Sequence, residues 1–445
     1  MKAPWIIGLP PNLFYGTGIP ACIIVLDKEN AAARTGIFMI DASKGFMKDG
    51  NKNRLREQDI HKIVDVFNNG IELPKYARMV GLDEIEANDF NLNIPRYIDS
   101  TEPEDLQDIE AHLLGGIPNR DIDDLARYWD LFPGLKGRLF AANSRLGFSD
   151  LRIPIAEIKP TIFADPQFVA YTKLVKGIST SWQSNVLSRL KGLAVGCRPK
   201  QMIEELSEDL LKAFADVWLL DKYDLYQHLM TYWAETMQDD VYLIAADGWQ
   251  ASSELVPATL IIARYFAAEQ EAIAALEAKQ EVIGRQVEDL DEDHGGEGGL
   301  LEEAKNERGK ITKAAVKARV REIFDDPESA DERAVLAKYL DLIDQEAEAS
   351  RRIREAQRVL DAKIAAKHKS LSEDEIKTLV VDDKWLAALA ADVRTELDRV
   401  SQALTGRIKE LAERYAAPLP QLVEDLETLT DRVDGHLGRM GFAWK

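Results

Sequence analysis

The apolar positions of this chain fall into three successive regimes. The first is strand-like. Ile6–Ile7 and Ala21–Leu26 are apolar stretches flanking a loop dense in Pro, Gly, Asn and aromatic side chains, Gly8-Leu9-Pro10-Pro11-Asn12-Leu13-Phe14-Tyr15-Gly16-Thr17-Gly18-Ile19-Pro20. Gly36–Asp41 is a further short run, nearly continuous in apolar character. Ala21–Leu26 and Gly36–Asp41 therefore predict central strands covered on both faces. The short polar link Asp27–Arg34 makes an antiparallel pair of the two plausible. Ala42–Arg56 reads as a polar loop, Gln58–Asn68 as a helix through Ile60, Ile63, Val64 and Phe67, and Tyr76–Val80 as another strand. The buried-strand pattern begins almost at residue 1, so the opening is expected to be part of a sheet whose earlier strands are missing, with its first strand as the torn edge.

The second regime, from Ile109 to Trp249, is mostly helical, with a small strand insertion expected near Leu151–Ile162. Phe214, Trp218, Tyr232 and Trp233 lie on two predicted helices, Ser207–Leu220 and Asp224–Met237, and their density marks a packed core. The third regime consists of charged helices with sparse apolar stripes, Leu255–Leu290, Leu300–Phe324 and Asp331–His368, interrupted by the glycines of His294–Gly299. Ser372–Glu375 has capping-box spacing. A regular stripe then runs through Trp385, Leu389, Val393, Leu397, Val400, Leu404, Ile408, Leu411 and Tyr415. Pro418 and Pro420 end it, and Leu422, Leu426, Leu429, Val433, Leu437 and Met440 form a second stripe, predicting an αα-hairpin or coiled coil. The expected fold class is α+β, mostly α, with boundaries at 1–100, 101–254, 255–370 and 371–445. Long sparse stripes bury poorly alone, which points to docking on a partner's helices, the alternative being intramolecular packing with a solvated outer face.

Composition narrows the function. A chain of 445 residues, 46% hydrophobic, can bury a sizeable core and suggests roughly two to four domains. Its formal charge of -21 repels nucleic-acid phosphates, so any work on DNA needs a partner or a local basic patch. Two cysteines fit a reduced, cytoplasmic chain, and no apolar run approaches the ~20 residues of a membrane span. The six histidines never take metal-ligand spacing. Gly16-Thr17-Gly18-Ile19-Pro20-Ala21 has the letters of a dinucleotide fingerprint, but Pro20 leads into a strand where that motif needs a helix N-terminus. Asp165-Pro166-Gln167-Phe168 is one residue from an amino-methyltransferase tetrapeptide, yet it lacks the second proline and falls in the helical middle. Leu9-Pro10-Pro11-Asn12 lacks the polar residue and the aromatic that would flank its prolines. No P-loop, nucleophile elbow, zinc spacing or EF-hand occurs.

Ile6–Leu26, together with Phe38-Met39-Ile40-Asp41-Ala42-Ser43, Asn51-Lys52-Asn53, Asp59-Ile60 and Asp89-Phe90-Asn91-Leu92-Asn93-Ile94-Pro95-Arg96-Tyr97, resembles the modification (M) subunits of type I restriction-modification systems. Tyr415–Lys445, with His436-Leu437 and Met440-Gly441, resembles that family's C-terminus. The resemblance implies S-adenosylmethionine-dependent methylation of adenine N6 in double-stranded DNA, with a specificity subunit and, in the full assembly, a restriction/motor subunit. It also implies that residues 1–100 are the last strands of a Rossmann-like class I methyltransferase sheet, and that 371–445 serves subunit assembly. The target base must leave the duplex, and the resemblance places Phe14 against it, with Tyr15 second, Asn12 beside them and Gly16, Gly18 and Pro20 shaping the loop. The family's cofactor motif Asp-Pro-Ala-Cys-Gly-Thr-Gly and its catalytic Asn-Pro-Pro-Phe lie upstream of this loop and do not occur here. The chain is therefore expected to match the C-terminal portion of an M subunit, with no catalytic or cofactor-binding residue of its own. The competing reading is an inactive assembly module for a specificity subunit or for a separate N-terminal half.

Overall fold

The computed structural model describes residues 2–29, 34–101, 104–306, 309–416 and 418–441. The chain divides into two compact units, Met1–Ala245 with Trp385–Lys445, and Ala246–Lys384. They cut across the four sequence segments: 1–100, 101–245 and 385–445 share one unit, and 246–384 makes the other.

The first unit opens on a four-stranded sheet. Strands β1 (Lys2–Gly8), β2 (Cys22–Asp27), β3 (Gly36–Asp41) and, after a separate hairpin β4 (Met47–Asp49) and β5 (Lys52–Arg54), β6 (Ala77–Gly81) give the order β2-β1-β3-β6. β1 pairs antiparallel with β2 and parallel with β3. Three expectations fail here: the first strand as the torn edge, the pairing of β2 with β3, and β2 as a central strand. β1 is an interior strand and lies between β2 and β3, which are not paired. β2 is the sheet edge and largely exposed, not covered on both faces. β3 does fit its apolar run, since Ile37 to Asp41 are all buried.

The two faces of the sheet carry separate cores. Ile6, Ile37, Met39 and Val80 pack with Ile85, Ile94, Tyr97 and Ile98 on one face. Ile7, Leu9, Phe38 and Ile40 pack with Ile63 and Val66 of helix α1 (Glu57–Asn69) on the other. Ile85 belongs to the short helix α2 (Leu82–Ala87). Each fully buried aliphatic side chain contributes roughly 1.5–3 kcal/mol. The parallel pair β1–β3 thus sits in the twice-covered setting that parallel strands require.

The middle of this unit is helical. Its small sheet is β7 (Ile117–Pro118), β8 (Phe140–Ala142) and β9 (Phe148–Leu151), in order β7-β9-β8. The strand insertion therefore precedes the predicted Leu151–Ile162, where Ile158–Ala164 is a helix. Phe214 and Trp233 are buried as the aromatic density predicts, whereas Trp218 is exposed. Helix α3 (Lys222–Tyr232) continues into a π-helical turn, Trp233–Met237.

Helix α4 (Ala387–Arg414) packs its stripe against α3 and the helices Ile158–Ala164 and Pro166–Lys191. Buried Trp385 donates Nε1–H to Asp240 Oδ2 at 2.8 Å. Asp105 accepts from Arg407 at 2.6 Å and from Arg414 at 3.0 Å, fixing the far end of α4. Helix α5 (Leu419–Arg439) follows, but Leu422, Leu426, Leu429 and Val433 remain exposed. The two stripes are thus not joined as a hairpin: the first is spent on the unit's interior, while the second lies open.

One ion pair between α3 and α4 makes stability pH-dependent. His228 Nε2 lies 2.9 Å from Glu396 Oε1, and Asp392, Asp224 and Arg399 are its charged neighbours. The hydrogen bond to Glu396 holds the imidazole pKa above its ordinary value, against the opposing effect of burial. The imidazolium therefore stabilises the fold fully below the unfolded value of ~6.5, and this contribution is lost as pH rises through the raised folded value. In urea titrations followed by circular dichroism, His228→Gln is expected to be destabilised at pH 6, with the gap to wild type narrowing by pH 9. A gap independent of pH would refute this account.

In the second unit, the helices Ala267–His294 and Ala330–Lys369 pack on each other, and Ile283, Leu290, Leu336 and Tyr339 share a buried cluster with Val316 of the helix Lys313–Glu322. Gly298, at φ +77°, turns the chain after the first of them. The capping box at Ser372 forms as predicted, with Ser372 N donating to Glu375 Oε2 at 3.0 Å and Glu375 N to Ser372 Oγ at 3.3 Å.

Candidate functional site

The loop between β1 and β2 leaves the sheet at the carboxyl end of β1, the same end at which the parallel strand β3 delivers Asp41. Ligands of open α/β sheets collect at such ends. Leu9 is buried and Leu13 packs on the core under α1, so the loop's root is anchored. Beyond it the side chains turn outward. Phe14 is 50% exposed and Tyr15 94% exposed.

The loop has a fixed shape. Asn12 adopts φ +55°, a left-handed conformation that asparagine tolerates better than most residues. Gly16 lies at φ +81°, where a side chain would be strained. Gly18 passes so close to Asn12 that a Cβ there would stand 3.0 Å from Asn12 Oδ1. Pro20 then leads directly into β2, so the turn meets a strand and no helix N-terminus.

The residues that hold this shape lie in the β4–β5 hairpin, inside the segment read from sequence as a polar loop. Asn53 is buried; its backbone N–H donates to Asn12 O at 3.0 Å and its side-chain amide to Pro11 O at 2.6 Å. Lys52 Nζ donates to Phe14 O at 3.0 Å and lies 6.0 Å from the centre of the Tyr15 ring. Asn53 therefore clamps the loop's rise and Lys52 its crest. Asn51-Lys52-Asn53 stood out in the sequence, but nothing local indicated that it reaches a loop about forty residues earlier.

The hairpin also changes the local charge. Between Ala42 and Arg56 the chain carries three lysines and two arginines against one aspartate, in a protein of net charge -21. Lys44, Lys48 and Arg54 are exposed, and Asp49 stands 3.8 Å from Arg54. Through Lys52, 6.0 Å from the Tyr15 ring, this cationic stretch reaches the two outward aromatic residues. Asp89 and Phe90, both at positive φ, present a further exposed aromatic on the segment before Ile94. Among the described residues no group of His, Cys, Asp and Glu side chains could hold a metal ion, and no helix is long and apolar enough to cross a membrane.

The family-model match covers the stretch that contains this loop. The family model for N-6 DNA methylases matches residues 3–106. The MpnII methylase subunit of a type I restriction enzyme from Mycoplasma pneumoniae is 33% identical over 133 residues, 29% of this chain and 24% of that protein. The MjaVII methylase subunit from Methanocaldococcus jannaschii is 38% identical over 112 residues, 24% of this chain and 19% of that protein. A crystal structure of a type I restriction-modification methyltransferase subunit from Streptococcus thermophilus is 40% identical, covering 22% of this chain and 21% of the other, with a TM-score of 0.21. The matched stretch thus spans a quarter or less of the length of these curated relatives. This chain matches the N-6 DNA methylase family over residues 3–106 and is similar, over 133 and 112 residues, to the MpnII and MjaVII methylase subunits of type I restriction enzymes.

Proposed function

We infer that this chain supplies the target-base end of an adenine-N6 DNA methyltransferase, as the carboxyl-terminal part of a type I modification subunit working with a specificity subunit. The observation that carries the reading is a rigid loop at the carboxyl end of a parallel strand, with Phe14 and Tyr15 turned outward beside a basic hairpin. An outward aromatic ring on an anchored loop suits a base extruded from a duplex, because stacking needs a flat apolar face and no sequence-specific bond. Lys44, Lys48 and Arg54 suit the phosphates on either side.

S-adenosylmethionine would supply the methyl group. Gly16–Gly18 does not fit it: the turn runs through Pro20 into β2 and does not lead into a helix N-terminus that would receive an anionic group. Nor does this chain contain the Asn-Pro-Pro-Phe that the family resemblance implies for binding the adenine amine. The cofactor and the reacting amine therefore belong to a polypeptide carrying the family's two upstream motifs, and the chain's own task is to receive and position the base. Calorimetry of the purified chain with S-adenosylmethionine should show no binding; a micromolar isotherm would refute this division of labour. When the chain is combined with an upstream methyltransferase half and a specificity subunit, methyl transfer to adenine in duplex DNA should appear, and omission of this chain should abolish it.

A second reading, an assembly module without catalysis, is favoured by α5. Its exposed leucines and valine lie on one helical stripe with acidic residues between them. The two readings are compatible if α5 serves the specificity subunit while the loop serves the base.

A further inference from the structure

The protein's negative charge is not spread evenly. Pro133–Lys200 holds eleven Lys and Arg against three Asp and Glu, and its helix Pro166–Lys191 contains no acidic residue. On the neighbouring α4 most arginines are committed: Arg399 pairs with Glu396 and Asp224, and Arg407 and Arg414 pair with Asp105. Lys173, Lys176 and Arg394 are not. Among the described residues none of these three is paired with a carboxylate, although the chain has 77 Asp and Glu. Unpaired cations gathered at one place in so acidic a protein create a local positive potential that draws in an anion.

The three line a single cavity of about 350 Å³, formed by the helices Ile158–Ala164, Pro166–Lys191 and α4. Val169, Thr172, Lys173 and Lys176 reach it together because steps of three and four residues share a helix face, as do Arg394, Leu397 and Asp398 on α4. Part of the lining is aromatic. Phe168 is buried, and Phe163, with its ring centre 5.5 Å away, is 37% exposed. Lys159 Nζ lies 5.7 Å from the centre of the Phe163 ring. Thr172 Oγ1 is buried and has no hydrogen-bond partner. Such orphaned groups are destabilising and uncommon in folded proteins. Asp398 adds a carboxylate, which accepts hydrogen bonds and has none to give.

We propose that this cavity binds one nucleotide, with its base against Phe163 and Val169, an N–H edge toward Asp398 and its phosphates by Lys173, Lys176 and Arg394. A bare phosphate would leave the aromatic face and the Thr172 hydroxyl unused, and an apolar ligand would bury the cations without compensation. A base has a flat face for the ring, and the volume suits one ring system with its phosphates, since ligand pockets start at roughly 300 Å³. Asp398 sets the preference. Guanine offers it two adjacent N–H donors, whereas the one N–H of uracil sits between two carbonyl oxygens that repel a carboxylate. A free guanine nucleotide and an unpaired guanine of a strand present the same chemistry. The site shares no residue with the β1–β2 loop and stands whether or not that loop receives a base.

Calorimetry on the full chain tests this with GDP, UDP, guanosine, inorganic phosphate and a guanine-containing oligonucleotide, single-stranded and duplex. GDP is expected to bind at least about tenfold more tightly than UDP, guanosine or phosphate. Lys173→Gln with Lys176→Gln, and separately Phe163→Ala, should each weaken GDP by at least about tenfold, with the circular dichroism unchanged. Thr172→Val removes the orphaned hydroxyl, so the thermal transition should hold or rise while GDP affinity falls, a combination that a purely structural threonine would not give. Asp398→Asn should erase the preference for GDP over UDP. Competition between GDP and the single strand, with both weakened by the same variants, would make a strand the source; GDP binding without competition would make it the free nucleotide. Either result supports the site. Binding of neither probe, phosphate as tight as GDP, or GDP affinity indifferent to these variants would overturn it. So would loss of GDP binding in Phe14→Ala, which would place the nucleotide at the β1–β2 loop.

Discussion

Phe14→Ala in the assembled enzyme is expected to lower adenine methylation about 5- to 150-fold, the range corresponding to the ~1–3 kcal/mol of a base–aromatic stack. The ring is half exposed, so its removal should cost the fold well under 1 kcal/mol, as for most surface substitutions. A loss of activity with an unchanged thermal transition therefore assigns the ring to the base, whereas a hinge or core role would lower the transition itself. Phe14→Trp keeps a π-face and should retain most of the activity; Tyr15→Ala should do less damage than Phe14→Ala. With 2-aminopurine at the target position, the fluorescence rise that marks an extruded base should be quenched by the native ring and stronger in the alanine variant. Equal activity of Phe14→Ala and wild type would remove the residue from the site.

Leu426→Asp combined with Leu429→Asp should weaken capture of the specificity subunit on the order of a thousandfold, two losses of ~2 kcal/mol each at the centre of a helix-docking stripe. Both side chains are exposed in the chain as it stands, and α5 packs on the short helix Ile109–Leu114. Aspartate lowers helix propensity as well as apolar area, so Leu426→Ala with Leu429→Ala supplies the control: alanine is the best helix former, and capture should still fall at least tenfold. Sedimentation of the mixed subunits reads both. Full binding by the aspartate variant would rule this stripe out as the docking surface.

Much of the fold was legible where local pattern and burial agree. Gly36–Asp41 is a buried strand because its apolar run has neighbours on both sides, and α1 buries Ile63 and Val66 as its periodicity predicts. Cys22–Asp27 has nearly the same composition and lies at an edge, because a strand's neighbours are set by distant pairing and not by its own residues. The β4–β5 hairpin escaped notice since its strands are three residues long and polar. The stripes of α4 and α5 look equivalent in sequence, and only tertiary contacts separate the one that is spent from the one that is open. At the site, Phe14 and Tyr15 are exposed, and their role is a proposal that the assembled enzyme has to test. The clamp by Lys52 and Asn53 was out of reach, because side-chain to backbone bonds across so long a separation leave no local signature.

That clamp also dictates a folding order. Asn53 reaches Pro11 across 42 positions, so the clamp is expected to close after β1 has come to lie beside β3. Closing so long a segment carries an entropic cost that local contacts do not recover. The loop should therefore be among the last parts of the sheet to become ordered, and in hydrogen exchange the amides of Asn12 to Gly18 should gain protection after those of β1 and β3. During synthesis the loop would acquire this shape only once Asn53 has left the ribosome.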